Sequence, residues 1–336
     1  MMQVHRDLER LPHFKNAVIT IGTFDGVHKG HQQIINQLKT TAARVCGETV
    51  IITFHPHPRK IVGSFGGNVA LLNTLEEKII LLDKAGIDHL VVVPFTEHFA
   101  NQTAEEYCND FIYQYFKPHT IIIGYDHRFG KNRLGDYHLL EKMGSQLGFV
   151  VTEIDEQILN EVTVSSTKIR NALLQHDVLI ANQFLGYAYF FEGVVVKGNQ
   201  LGRKIGYPTA NIKVADEEKL IPANGVYAVT VSIVNNQWLI NERKSGELEV
   251  ESKTVNHQAV TINHFKGMMN IGIRPTVDEK VRVIEVNIFD FDEDIYDQTI
   301  QVHIHAYIRN EIKFNGLDAL KNQLKADAIK VKCLLR

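Results

Sequence analysis

The sequence predicts two domains of different fold class, an N-terminal α/β domain with a doubly wound parallel sheet and a C-terminal small antiparallel β-barrel. The chain has 336 residues, and at the usual ~150 residues per domain this suggests two domains. Up to residue 185 short apolar runs alternate with helical patterns, whereas from residue 186 strand patterns follow one another without regular helices between them. We therefore expect the domains to cover residues 1–185 and 186–336.

Five apolar runs of the first domain show no alternation of apolar and polar residues, which is typical of parallel strands buried on both faces. The segments between them are long enough for right-handed crossover helices. Because ligands of such sheets bind beyond the carboxyl ends of the strands, we expect the chemistry in the loops that follow these runs. The predicted strands cover residues 17–23, 49–54, 89–94, 120–124 and 149–154.

The second domain shows several alternating strands, and closing them into a barrel removes their exposed edges. A helical repeat of apolar residues from Leu317, with Asn315 as its N-cap, is expected to pack against the barrel. The polar segment 235–264 carries many charges and no motif, and we interpret it as a long hairpin excursion. The predicted strands cover residues 190–197, 225–234, 268–272, 281–289 and 299–308.

Composition and charge exclude several classes of protein. With 44% hydrophobic and 22% charged residues, the chain is expected to be globular rather than disordered or membrane-embedded. A formal charge of −3 argues against a protein that coats nucleic acid or an anionic membrane. Three widely spaced cysteines fit free thiols in a reducing cytosol, and the charged N-terminus does not resemble a signal peptide. We expect a cytoplasmic protein that has neither nucleic acid nor a membrane as its partner.

The strongest local signal is a glycine-rich turn at the end of the first predicted strand. His28 and His31 lie on one face of the helix that follows, where unpaired N–H groups and the helix dipole attract anions. Gly22 and Gly30 let a ligand approach the backbone closely. The arrangement suits a nucleoside triphosphate, although two ordinary surface histidines remain the alternative. The turn has the sequence Gly22-Thr23-Phe24-Asp25-Gly26-Val27-His28-Lys29-Gly30-His31.

A second candidate element opens a helix after the fifth predicted strand. Ser166 and Thr167 supply hydroxyl groups there, and Lys168 and Arg170 supply two cations suited to a phosphate chain. From these residues alone, a serine N-cap with a basic first turn is the alternative.

In the second domain, a glycine-rich basic loop precedes an extended segment. Gly198, Gly202 and Gly206 permit the backbone to wrap a phosphate, and Arg203 and Lys204 add positive charge. A flexible basic loop without a ligand is the alternative interpretation.

Three polar side chains after that loop are candidates for chemistry. Thr209 and Asn211 are one residue apart, so in an extended segment both point to the same side and suit a hard cation such as Mg²⁺. Glu285 lies in an apolar strand, where a carboxylate is costly unless it faces a polar site. A glutamate on the solvent-facing side of the strand is the other interpretation of Glu285.

These motifs together resemble a known family. The His-x-Gly-His turn followed by Ser-Ser-Thr-Lys-Ile-Arg is similar to the paired signature of the HIGH-type nucleotidyltransferases, which implies a Rossmann-like fold. The loops at 54–59 and 124–130 resemble the flavin-side loops of prokaryotic FAD synthetases. The loop at 196–211, with its Pro-Thr-Ala-Asn end, and the segments at 224–227, 270–276 and 284–289 resemble riboflavin kinases. The whole chain is similar to the bifunctional riboflavin kinase/FMN adenylyltransferase family.

For the first domain, the resemblance implies transfer of AMP from ATP to FMN, which gives FAD and pyrophosphate with the help of Mg²⁺. The residues that it places at the nucleotide are Gly22, Phe24, His28, Gly30, His31, Ser166, Thr167 and Arg170. Those that it places near the flavin or its phosphate are Phe54, Asp126 and Arg128. The family usually has an aromatic residue, most often Phe, at the position of His127.

For the second domain, the resemblance implies phosphorylation of riboflavin by ATP to give FMN. Thr209 and Asn211 are then expected to hold Mg²⁺ with ATP, and Glu285 to act as the catalytic base. Arg309 matches a position with a structural or flavin-side role.

Other functions compete with this interpretation. The chain could retain only one of the two activities, or it could be a flavin-binding regulator without catalysis. A transferase whose barrel binds RNA is a further alternative, because small barrels also bind nucleic acid. The barrel sequence lacks the basic surface run with interleaved aromatic residues that RNA binding needs, which argues against that alternative.

Overall fold

The computed structural model describes residues 1–62, 70–154, 164–198, 201–234, 264–275 and 280–336. The described residues up to Ser166 form one compact unit, and those from Thr167 form a second. The predicted excursion at 235–264 lies, apart from His264, outside the described residues, as does Thr276 of the predicted kinase motif. Among the helices that the structure describes, none combines the length and apolar character needed to cross a membrane.

The first unit is built on a parallel sheet of six strands in the order β1-β4-β3-β2-β5-β6. All five predicted strands are present, which confirms the doubly wound α/β prediction. The sixth, β1, was not predicted because three residues with one apolar member give no strand pattern. The strands are β1 (Gln3–His5), β2 (Val18–Ile21), β3 (Thr49–His55), β4 (His89–Pro94), β5 (Thr120–Gly124) and β6 (Val150–Ile154).

Successive residues of the central strands enter two different hydrophobic clusters, one on each face of the sheet. In β3, Val50 and Ile52 belong to one cluster and Ile51 to the other. All three are fully buried. Burial on both faces removes any polar position, which explains why these strands appear in the sequence as continuous apolar runs.

Helices cover both faces of this sheet. The longest begins directly after the glycine-rich turn and buries Ile35, Leu38 and Ala42. The helices of the first unit are α1 (Lys29–Arg44), α2 (Pro58–Val62), α3 (Leu75–Lys84), α4 (Glu97–Ala100), α5 (Ala104–Glu106), α6 (Gln114–Phe116) and α7 (Tyr137–Leu147), with 3-10 turns at Leu8–Arg10 and Lys131–Arg133 and a π-helix at Tyr107–Tyr113. A further helix, α8 (Ser166–Leu174), starts at the last residue of this unit.

The second unit is a closed antiparallel barrel with the strand order β10-β11-β8-β7-β12-β9. This confirms the predicted barrel. The barrel also contains β8, a strand of four residues that was predicted only as an extended segment. The strands are β7 (Tyr189–Val196), β8 (Ala210–Lys213), β9 (Gly225–Val234), β10 (Phe265–Pro275), β11 (Lys280–Ile288) and β12 (Thr299–Arg309). The helices are α9 (Val178–Leu185), α10 (Leu201–Lys204) and α11 (Leu317–Leu334).

The predicted terminal helix is α11, which packs on the outside of the barrel. Its Leu324, Ala328 and Val331 join a cluster with barrel residues such as Met268. The prediction that Asn315 is its N-cap is wrong: Gly316 occupies the cap with φ 131° and makes no side-chain cap hydrogen bond. A glycine readily adopts this non-helical φ, so the helix begins at the next residue, Leu317.

A buried ion pair fastens α11 to the last strand. The guanidinium of Arg309 donates from Nη2 to Asp327 Oδ2 at 2.7 Å and from Nε to the same oxygen at 3.0 Å. Gln323 donates a further hydrogen bond to Asp327 at 2.9 Å. Because the Asp327 carboxylate is almost inaccessible to water, losing its cation would leave a buried charge unpaired.

We predict that replacing Arg309 by Met lowers the free energy of unfolding of the barrel by ~3 kcal/mol, because it strands the buried carboxylate of Asp327. Denaturant-dependent hydrogen exchange of peptides from β9 and β12 measures this change. The matched control is Lys332→Met, which removes an exposed pair with Asp290 at 3.2 Å and is expected to cost less than ~0.5 kcal/mol. Equal effects of the two substitutions would contradict the prediction.

Candidate active sites

The glycine-rich turn of the first unit connects β2 to α1 at the carboxyl edge of the sheet. His28 is the N-cap of α1, and its Nδ1 accepts a hydrogen bond from the backbone N–H of His31 at 3.4 Å. A Cβ at Gly30 would lie 3.2 Å from the His28 ring, and one at Gly22 would lie 3.2 Å from the ring of Phe24. These two predicted glycines therefore make room for the aromatic side chains of the turn.

The two histidines of the turn are stacked on each other. Their ring centroids lie 3.7 Å apart, and Phe24 contacts the ring of His31 at a centroid distance of 4.9 Å. Burial lowers the pKa of His31 well below its ordinary value, and the charges of His28 and Lys78 lower it further. His31 is therefore a neutral hydrogen-bonding group at physiological pH. Its Nδ1 is shielded from solvent and has no hydrogen-bond partner among the described residues.

Asp25 connects this turn to two other segments. Its buried carboxylate accepts hydrogen bonds from the backbone N–H groups of Leu72 and Asn73, at 2.9 and 3.2 Å. Its backbone carbonyl accepts a hydrogen bond from Ser166 Oγ at 2.9 Å. The two motifs that the sequence analysis paired, the histidine turn and the Ser-Ser-Thr segment, thus meet at Ser166. Asp25 was not among the site residues predicted from the sequence.

The remaining predicted phosphate contacts of this motif lie farther along α8. Thr167 and Arg170 belong to the residues that form the second unit. Their predicted contact with the nucleotide therefore stays a prediction.

A buried lysine lies next to the turn and was not found from the sequence. Lys78 on α3 is only 7% exposed, and its Nζ donates to Thr53 Oγ1 at 3.3 Å. It lines a small cavity together with Asp25, Phe54 and Asn73. Burial lowers the pKa of Lys78 from 10.5 to about 8, although the nearby Asp25 carboxylate acts in the opposite direction.

The sequence did contain a signal for this residue. Leu75, Lys78, Ile79 and Leu82 follow the spacing of the apolar face of a helix, and all four are buried. A lysine on such a face is unusual unless it serves a site.

Aromatic rings from the end of β3 and from the segments that follow β4 and β5 form a continuous row. Successive centroid distances between neighbours in this row range from 5.1 Å to 5.9 Å. The row begins at the predicted flavin-side residue Phe54 and ends at His127, through Phe99, Tyr107 and Phe129. The other two predicted flavin-side residues, Asp126 and Arg128, are exposed on the same loop as His127.

In the barrel, the predicted catalytic base lies in a row of polar residues across three strands. Glu285 of β11 is paired in register with Asn211 of β8 on one side and with Asn270 of β10 on the other. Directly paired residues project to the same face of a sheet, so the predicted base and the predicted Mg²⁺ ligand Asn211 are neighbours. Arg274 Nη2 donates to Glu285 Oε1 at 2.5 Å. Sequence analysis quoted the segment that contains Arg274 but gave this residue no role.

This row faces the outside of the barrel. The neighbours of Glu285 in β11, Ile284 and Val286, are buried on the opposite face. Met268, which shares the face of Asn270, packs with α11 on the barrel exterior. A substrate can therefore reach Glu285 from the outer wall.

The glycine-rich loop presses its backbone against the two predicted metal ligands. A Cβ at Gly198 would collide with the side-chain amide of Asn211, and one at Gly202 would collide with the carbonyl of Tyr207 and lie 3.4 Å from Thr209 Oγ1. Gly206 has a φ of +84°, which favours glycine.

The two cationic residues predicted for this loop lie in the short helix α10. Arg203 is exposed, and of Lys204 only the backbone position in α10 is described.

The donor set around Asn211 fits Mg²⁺. The hydroxyl of Thr209 and the amide oxygen of Asn211 are hard oxygen donors of the kind this ion prefers. Arg309 was predicted to lie on the flavin side. Its guanidinium donates hydrogen bonds to Asp327. Its predicted contact with flavin stays a prediction.

The two folds and their sites define the class of the protein. A doubly wound domain with an anion-binding turn, joined to a barrel with a glycine-rich loop beside a carboxylate, is typical of a two-domain nucleotide-dependent transferase. Family models agree with this class. A model described as FAD synthetase matches residues 11–168, and one described as riboflavin kinase matches residues 185–335.

Individual proteins are similar to the chain over nearly its full length. The bifunctional riboflavin kinase/FMN adenylyltransferase of Haemophilus influenzae is 35% identical over 314 residues, which cover 93% of this chain and 92% of that protein. The protein of the same description from Listeria monocytogenes is 35% identical over 313 residues, with coverages of 93% and 90%. The chain belongs to the family of bifunctional riboflavin kinase/FMN adenylyltransferases, which are enzymes of flavin cofactor synthesis.

A solved structure covers the same length. The crystal structure of a protein described as a macrolide-efflux protein from Streptococcus pneumoniae is similar with a TM-score of 0.80 and 29% sequence identity, and the match covers 98% of both chains. The two-unit architecture is therefore found in an experimental structure.

We predict that Gly198→Ala raises the KM for ATP in riboflavin phosphorylation about tenfold, equivalent to ~1.4 kcal/mol of binding. The added methyl group would displace the Asn211 side chain, which a bound metal ion needs in place. Initial rates at varied ATP concentration measure the change. Conversion of FMN to FAD by the same preparation is the internal control, and an unchanged KM would refute the predicted role of this close approach.

We predict that His127→Phe makes the first unit less sensitive to acid. Burial lowers the pKa of His127 to about 4, so between pH 6.5 and pH 4 the unfolded chain binds a proton that the folded chain does not, and stability falls with pH. At pH 5 this costs about 1–2 kcal/mol, which the phenylalanine variant avoids. Urea unfolding of both proteins at pH 7.5 and pH 5 measures the difference. The same loss of stability in both proteins would contradict this assignment.

Proposed function

We propose that the first unit converts FMN and ATP to FAD and pyrophosphate, and that the barrel converts riboflavin and ATP to FMN and ADP. One observation supports this proposal: each unit has a glycine-rich turn beside polar side chains, His28 and His31 in the first unit and Asn211 and Glu285 in the barrel. The product of the barrel is the substrate of the first unit, so the two reactions form a sequence.

In the first unit, a phosphate oxygen of FMN attacks the α-phosphorus of ATP, and the bond from that phosphorus to the pyrophosphate oxygen breaks. We assign His28, His31 and the N-terminus of α1 to the phosphates of ATP. Imidazole N–H groups and backbone N–H groups at a helix start donate hydrogen bonds to these oxygens. Ser166, held against the same turn, places the start of α8 beside them.

The flavin is assigned to the partly exposed members of the aromatic row, Phe54, Phe99 and His127, because Tyr107 and Phe129 are buried in the hydrophobic core. Flat aromatic side chains suit a flat isoalloxazine ring through offset stacking or edge-to-face packing. Arg128 and Asp126, exposed on the same loop as His127, are assigned to the polar end of the substrate.

In the barrel, the terminal hydroxyl oxygen of riboflavin attacks the γ-phosphorus of ATP, and the bond to the β-phosphate oxygen breaks. Glu285 accepts the hydroxyl proton, and Arg274 fixes the orientation of its carboxylate. Thr209 and Asn211 are assigned to Mg²⁺, which would neutralise charge on the ATP phosphates. The glycine-rich loop supplies backbone N–H groups to the same phosphates. The need for ATP supports a cytoplasmic location for both reactions.

We predict that the two activities can be removed separately. Glu285→Gln is expected to lower riboflavin phosphorylation by ~10²-fold or more and leave FAD formation from FMN intact, because a glutamine cannot accept the proton. His31→Gln is expected to produce the reverse pattern, since it changes only the first unit.

A chromatographic time course from riboflavin, and a second from FMN, measures both activities. The wild-type protein should form FMN before FAD, and removal of Mg²⁺ by a chelator should stop both steps. Formation of FAD from FMN without any FMN from riboflavin would show that only the adenylyltransferase is active. No flavin conversion from either start would support a binding protein instead.

A further inference from the structure

Lys78 is a buried cation whose hydrogen-bonding capacity is largely unused. An ammonium group has three N–H donors, and the described residues accept one hydrogen bond from it, at Thr53 Oγ1. The charge of the Asp25 carboxylate acts on this ammonium group and raises its pKa, but the hydrogen bond given for Nζ among the described residues is the one to Thr53. Burying a cation with few hydrogen-bond partners is costly, and binding of an anion would offset that cost.

The position of this ammonium group coincides with the edge of the sheet where the nucleotide turn lies. Thr53, which accepts its hydrogen bond, is the residue before Phe54 in β3 and donates to the carbonyl of Thr23 at 3.2 Å. Thr23 belongs to the glycine-rich turn itself. The ammonium group is therefore connected through one hydroxyl group to the backbone of the predicted phosphate site.

A second buried group next to Lys78 also lacks a partner. Nδ1 of His31 is shielded from solvent and has no hydrogen-bond partner among the described residues. The charge of Lys78 acts on His31, since it contributes to the lowered pKa of that imidazole. Lys78 and the neutral imidazole of His31 thus both have hydrogen-bonding capacity that the described residues do not use. An anion with several oxygen atoms would satisfy both.

Asp25 is the negative group that faces Lys78, and it does not replace that anion. Its Oδ1 accepts the backbone N–H groups of Leu72 and Asn73, so this carboxylate also stabilises the chain between β3 and α3. Its charge favours the protonated form of Lys78. Asp25 therefore keeps the lysine cationic and leaves its remaining donors to a substrate.

We propose that Lys78 is a catalytic residue of AMP transfer, whose ammonium group contacts a phosphate oxygen of the reacting substrates beside His31. This inference rests on the proposed function of the first unit. As FMN attacks the α-phosphorus, negative charge accumulates on the oxygens around it, and a cation already buried in place stabilises that charge without reorganisation. The oxygen belongs to ATP or to the phosphate of FMN, and the kinetic constants separate these sources.

A purely structural role for Lys78, as a support for Thr53, makes different predictions. If Lys78 only supports Thr53, its replacement should lower the stability of the first unit, and the activity should fall no more than the stability does. A catalytic cation would be measured as a loss of kcat/KM for AMP transfer that exceeds any loss of stability, and as a dependence on the charge of residue 78.

The main experiment compares Lys78→Met, which keeps the length of the side chain without its charge, with Lys84→Met on the exposed side of the same helix. We expect Lys78→Met to lower kcat/KM for FMN adenylylation by ~10²-fold or more, with riboflavin phosphorylation and the thermal midpoint of the first unit close to wild type. Lys84→Met should stay within twofold. A rise in KM for ATP alone places the contact on ATP, and a rise for FMN alone places it on FMN.

Wild-type kcat/KM in a folded Lys78→Met protein would overturn the proposal. Failure of the wild-type protein to convert FMN to FAD would instead overturn the proposed function, so the two failures are distinguishable.

The pH dependence decides the case in which Lys78→Met is too unstable to test. The titratable groups that line the cavity with Lys78 are Asp25, His55 and His57, and His31 faces it from α1. The lysine is a cation below its pKa of about 8 and neutral above it, so kcat/KM for AMP transfer should fall as pH rises through that value. Lys78→Arg keeps its charge and should lose this alkaline decline. The same decline in both proteins would contradict the proposal.

Discussion

The glycine-rich turn of the first unit, where we propose that phosphates bind, depends on the buried carboxylate and the backbone carbonyl of Asp25. Through these two groups the residue holds the chain before α3 and the start of α8 against the turn between β2 and α1. Its charge also keeps Lys78 protonated. A buried carboxylate is tolerated only where donors surround it. Here Leu72 and Asn73 donate to the carboxylate and Ser166 donates to the backbone carbonyl, so one residue connects segments far apart in sequence.

The proposed site of the barrel is assembled by a different interaction, the pairing of strands. Strand register places Asn211, Glu285 and Asn270 in one row, and no buried charge is needed to gather them. The glycine loop then closes over the row because its backbone can approach Asn211 without a Cβ. The first unit thus relies on buried polar contacts, whereas the barrel relies on the fixed geometry of paired strands.

The sequence predicts the parts of the structure that follow from local pattern. Continuous apolar runs gave the central strands, because burial on both faces leaves a direct mark in composition. Strands β1 and β8, of three and four residues, are too short to show such a pattern in the sequence. They are recognised only by their pairing with longer strands. The N-cap of α11 was placed one residue early, since the backbone angle of Gly316 is set by the loop and not by side-chain preference.

Site residues divide in the same way. The predictions for His28, His31 and Glu285 came from motifs, whereas the contacts of Asp25, Lys78 and Arg274 with other segments are seen only in the fold. Lys78 stands on the apolar face of α3, a local inconsistency that sequence patterns register but cannot explain. Arg309 matched a motif, yet its observed partner is Asp327, eighteen positions along the chain, which no spacing rule connects.

The outward direction of Glu285 has a consequence for how the barrel works. Each of the six strands is hydrogen-bonded to two neighbours, and the proposed reacting groups lie on the outer wall. Turnover therefore needs no parting of strands, and the apolar interior of Val286 and its neighbours can be optimised for packing alone. Substitutions inside the barrel should change how long the enzyme survives, and substitutions on its wall should change how fast it works.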